Sequence, residues 1–71
     1  MITSTTIDFE ATQRRARKMT DAALRYSAQD AWEAAQMAEE LERAGCPVSK
    51  TGGYYRDEAS VYRAELQRRA R

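Results

Sequence analysis

Residues 28–44 read AQDAWEAAQMAEELERA, and the spacing of apolar residues in this stretch decides the fold class. Ala28, Ala31, Ala34, Ala35, Met37, Ala38 and Leu41 spread over more than half of a helix circumference, leaving Gln29, Glu33, Gln36, Glu40 and Arg43 on the narrow remainder. A helix apolar over so wide an arc needs cover on two sides, and alanine lets the covering helices approach closely. The expectation is the central helix of a bundle. Trp32, at the edge of the arc, reads as an anchor whose ring packs while its N–H reaches a polar partner. Gly45 can take the left-handed position that closes such a helix, and Pro47 cannot continue it.

Upstream, residues 1–7 are β-branched and hydroxyl-rich and read as a flexible N-terminal arm, with Thr5, Thr6 and Asp8 as capping candidates. A first helix is expected over about residues 8–26, with Phe9, Ala16, Met19, Ala23 and Tyr26 on one face. Ser27-Ala28-Gln29-Asp30 has the form of a weak capping box, so the chain turns near residues 26–28 and begins again at 28. The alternative is one unbroken helix to Ala44.

Downstream, residues 45–53 read as a hinge loop, with Gly52 and Gly53 as its most mobile points and Lys50 as an exposed cleavage site. Ser49, Lys50, Thr51 and the two glycines include the ingredients of a phosphate loop, but the lysine precedes the glycines and no strand leads into them. Cys46 reads as a small apolar plug rather than a reactive thiol. A third helix is expected over about residues 54–69, packing through Tyr55, Ala59, Tyr62 and Leu66.

Residues 8–71 are thus expected to form a single all-α domain, a small bundle of two to three helices. With 71 residues and few large apolar side chains, one core is only marginally sufficient. One cysteine and no histidine leave self-association as the available supplement, and Ala34, Ala38, Leu41, Tyr62 and Leu66 as the expected oligomer interface.

The net charge is +1, far from the strongly basic balance of many nucleic-acid binders, but it is segregated. Residues 10–25 are basic, 29–44 acidic and 68–71 basic again. No leader and no run of about 20 apolar residues occurs, so no membrane association is expected and the reading is a cytoplasmic protein. The absence of histidine, of metal-ligand spacing and of a nucleophile–base pair argues against an enzyme, a metal, a cofactor and a small-molecule substrate.

The third helix carries the nearest thing to a functional signature. Arg56, Ser60, Arg63, Gln67 and Arg71 share one side with no acid among them, in the register of a helix lying in a major groove, with Tyr54 near their start. Arg14, Arg15, Arg17 and Lys18 would add phosphate contacts. Against this, charged helix faces are commonly just solvated, and four acid–arginine pairs stand at the favourable i, i+4 spacing: Glu10–Arg14, Asp21–Arg25, Glu39–Arg43 and Glu65–Arg69. A standard helix-turn-helix does not fit, because the loop to the third helix is too long.

Two functions follow as expectations. The leading one is a homodimeric DNA-binding regulatory or accessory protein that contacts duplex DNA through the third helix. The other is a protein-interaction module, an adaptor or inhibitor, docking through its acidic central helix or basic tail. Compact Ala/Arg-rich chains of this kind are associated with plasmids and other mobile elements, where both roles, transcription regulation included, occur.

Overall fold

The computed structural model describes residues 3–70, so Met1 and Ile2 of the expected arm, and Arg71 of the stripe, lie outside the described residues. The described chain is all-helical: α1 spans Phe9–Arg17, α2 Asp21–Arg43 and α3 Gly52–Arg69. None of these helices is long and apolar enough to cross a membrane.

Each helix starts on an oxygen-bearing side chain that takes up an otherwise orphaned backbone donor. Ala11 N–H donates to Asp8 Oδ1 at 3.0 Å, Ala23 N–H to Thr20 Oγ1 at 3.1 Å, and Tyr54 N–H to Thr51 Oγ1 at 3.2 Å. The first break therefore comes earlier than the sequence suggested. α1 stops at Arg17 rather than near residue 26, and α2 runs unbroken through Ser27, whose capping box is unused. Three hydrogen bonds account for this: Thr20 caps the new start, and Arg69 Nη2 donates to the Ala16 and Arg17 carbonyls at 3.1 Å each, occupying the end of α1.

α2 ends as expected. Gly45 has φ +75°, Cys46 N–H donates to Leu41 O at 2.9 Å and Gly45 N–H to Glu42 O at 3.0 Å, the paired bonds of a left-handed helix stop. Cys46 is exposed, not a plug in the core.

The hinge expected at residues 45–53 is shorter and tied down. Gly52 and Gly53 form the first turn of α3, and Gly52 is buried where a β-carbon would overlap Glu39 Cγ. Close approach of α2 is the reason for this glycine. The N-terminal segment, expected as a flexible arm, is held from Thr3 onward. Ser4 pairs with the loop through Ser4 N–H to Ser49 O at 2.9 Å and Thr51 N–H to Ser4 O at 3.0 Å, Thr3 Oγ1 donates to Val48 O at 3.0 Å, and Ile7 is buried.

α2 and α3 run antiparallel, pinned near one end by Glu39–Arg56 and near the other by Asp21–Arg69. α1 packs on a different flank of α3. The central helix is thus α3, not the alanine-rich α2. α2 buries only the stripe Leu24, Ala28, Ala31, Ala35 and Ala38, whereas α3 buries Ala59 and Tyr62 on one flank and Val61 and Glu65 toward another. The core gathers Ile7, Ala16, Leu24, Ala28, Val61 and Tyr62, with Met19, Tyr54 and Leu66 packed against it. Of the face expected for the first helix, only Ala16 is buried, while Phe9 and Tyr26 are exposed, because the early break turns Tyr26 onto the outside of α2. Trp32, on α2, is half-buried, and its N–H makes no hydrogen bond among the described residues.

Candidate functional site

The stripe on α3 is less open than its sequence implies. Arg56 is held in a two-pronged pair by Glu39, with Nε–Oε2 at 2.7 Å and Nη2–Oε1 at 2.8 Å. That hydrogen bonding holds the Glu39 carboxyl below its ordinary value and raises Arg56. Ser60 Oγ donates to the Arg56 carbonyl at 3.0 Å, a local bond that spends the hydroxyl on its own helix. Arg63 is exposed and has no ion-pair partner among the described residues. Gln67 lines a shallow cleft with Arg25, Leu66 and Asp21. Among the described residues, the expected face is therefore reduced to Arg63 and Gln67, joined by an arginine of α2 that the stripe did not include.

The other expected nucleic-acid contacts lie elsewhere. Tyr54 is half-buried against the core, its ring 5.7 Å edge-on to Tyr55 and 5.1 Å from Lys50 Nζ. Arg14 pairs with Glu10 at 3.4 Å. Arg15 Nη2 donates to Tyr62 Oη at 3.3 Å, which raises the guanidinium further. Arg17 borders a cleft between α1 and α3 with Val61, Glu65 and Arg68, and Lys18 is exposed at the α1 end. Val61 and Arg63 are two positions apart, roughly 200° round the helix, so the α1 basic residues and the α3 stripe occupy different flanks. They do not form one continuous surface.

Glu65 and Arg69 form a polar hub beside the core. Buried Glu65 accepts from Arg68 Nη2 at 2.6 Å and Arg69 Nε at 2.8 Å, and these bonds hold its carboxyl down at about 2. Arg69 reaches Asp21 Oδ1 at 2.8 Å as well as the α1 carbonyls. One guanidinium thus joins all three helices. Of the four local pairs read from the sequence, Glu10–Arg14 and Glu65–Arg69 form, while Asp21 and Glu39 pair with α3 instead.

The most open apolar surface is on the outside of α2. Tyr26 is 75% exposed, Met37 67% and Leu41 41%. Ala34, Met37 and Leu41 form one wall of a groove whose other wall is Pro47, Val48 and Lys50. Of the residues expected at an oligomer interface, Ala34 and Leu41 are on this surface. Ala38 and Tyr62 are buried in the chain's own core, Tyr62 at 6% exposure, whereas Leu66 is partly buried against that core and also lines the cleft beside Arg25 and Gln67. This surface was partly legible: Met37 and Leu41 belonged to the apolar arc, but Tyr26 was assigned to a different helix. Comparison of the chain with protein-family models, with curated proteins and with solved structures gave no match in any of the three.

Proposed function

We infer that the chain is a protein-docking module that engages its partner through the outer side of α2. The observation that carries this reading is the exposure of Tyr26, Met37 and Leu41 along one side of a single helix. Scattered apolar residues on a surface need no explanation, whereas a row of large ones does. Asp30 and Glu33 stand between Tyr26 and Met37 along the row and Glu40 at its edge, all exposed, so the apolar contact is interspersed and rimmed with acidic groups.

DNA contact is the second reading, favoured by the unpaired, exposed Arg63 and by Gln67 and Arg25 sharing a cleft. It is the weaker of the two, because Arg56 is neutralised by Glu39 and the remaining basic residues are divided between two flanks. Affinity capture from nuclease-treated extract of the producing cell, run beside duplex-DNA anisotropy over a salt series, tests both. The docking reading expects Met37→Glu to lose a captured protein that Arg63→Ala retains. Identical capture by wild type and Met37→Glu, together with duplex binding that Arg63→Ala weakens by about 1–3 kcal/mol, would replace it with the DNA reading.

A further inference from the structure

We propose that the outer side of α2 is taken by a second copy of this chain laid antiparallel along it; the inference rests on reading that side as a docking surface. Tyr26, Asp30, Met37 and Leu41 are separated by four, seven and four residues, an order that is the same read in either direction. An antiparallel copy therefore sets Tyr26 against the second copy's Leu41 and Asp30 against its Met37, and the two-fold axis repeats both contacts. Such self-complementarity is the requirement of a closed dimer. The row from Tyr26 to Leu41 is about 22 Å long, and Ala34 near its centre has no bulk to hold two helices apart.

Charge favours the same arrangement. Asp30 is the one charged residue among these four positions, and it has no ion-pair or hydrogen-bond partner among the described residues. Lys50 lines the groove beside Met37 and is exposed. In the antiparallel pairing the Lys50 ammonium of one copy comes beside the Asp30 carboxylate of the other, since Asp30 faces the second copy's Met37. A parallel, in-register pairing would instead bring the two Asp30 carboxylates together, which is unfavourable. Glu33, exposed on the Tyr26 edge of the row with its Oε1 accepting from Gln29 Nε2 at 3.1 Å, lies near the two-fold axis, where it adds like charge that the two Lys50–Asp30 pairs must outweigh.

Sedimentation velocity from low to high micromolar protein, with circular dichroism on every variant, decides the matter. Wild type is expected to move from monomer to dimer across that range. Met37→Glu should weaken the dimer roughly tenfold or more with an unchanged helical spectrum, because Met37 supports nothing inside the chain. Asp30→Lys and Lys50→Asp should each weaken it, and the double swap should restore it. A wild type monomeric throughout, a dimer indifferent to Met37→Glu, or a double swap no better than its parents would overturn the proposal. If wild type is monomeric while Met37→Glu still loses a captured foreign protein, the second copy is wrong and the docking surface stands. If capture is also unchanged, both fall.

Discussion

Glu65 shows how one side chain can couple this fold to pH. Its carboxyl is buried beside the core and stays ionised because Arg68, then Arg69, donate hydrogen bonds to it, which lowers it from 4.5 to about 2. A folded value below the unfolded one means that the fold prefers the ionised form. That contribution is complete above about pH 4.5 and disappears as pH falls toward about 2. Thermal melts across this window should therefore show a steeper loss of melting temperature for wild type than for Glu65→Gln; parallel slopes would contradict it. The pair Glu65–Arg69 was readable from its i, i+4 spacing, since a helix brings those positions together whatever surrounds it. The rest of the Arg69 contacts were not, because Asp21 and Ala16 come into range only once α1 and α2 have docked. For the same reason Glu39, expected to pair within its own helix, pairs with Arg56 across an interface.

For the helices, existence was legible and boundaries were not. Alanine-rich sequence with few breakers establishes helix on local grounds, and Gly45-Cys46-Pro47 marked the end of α2 because left-handed backbone is a local requirement for which glycine is suited. The start of α2 was a contest between two caps, Thr20 and Ser27, that local chemistry does not decide. Docking decides it: Leu24 must reach the core in phase with Ala28, Ala31 and Ala35, which requires a helix already formed upstream of Ser27. Thr20→Ala should accordingly cost about 1 kcal/mol, while Ser27→Ala should be close to neutral or slightly stabilising. Urea unfolding of the two variants measures this, and equal losses would mean that Thr20 is not the cap that matters.

Across the whole molecule, the sequence placed the wrong helix at the centre, for a physical reason. Apolar arc width counts every side chain that avoids water, whether it is covered by its own chain or left open, and α2 has both kinds: Ala31 and Ala35 within the core, Met37 and Leu41 outside it. α3 looked narrower because Glu65, one of its buried positions, is charged. The core that results is small. Among the described residues Leu24 is the one large side chain with 0% exposure, and Leu24→Ala should cost about 2–5 kcal/mol, a large share of the about 5–15 kcal/mol by which native proteins are generally stable. A melting transition within a few degrees of wild type would show that the site can collapse around the loss. The pairing of Thr3 and Ser4 with residues 48–51 also sets where the described chain begins. Thr3 is bonded to Val48, and Val48 forms a wall of the groove beside α2, so Thr3 itself stands at the rim of that groove. An affinity handle fused there would compete with the partner it is meant to capture, whereas one placed after α3 leaves from the opposite end of a molecule 42 Å long.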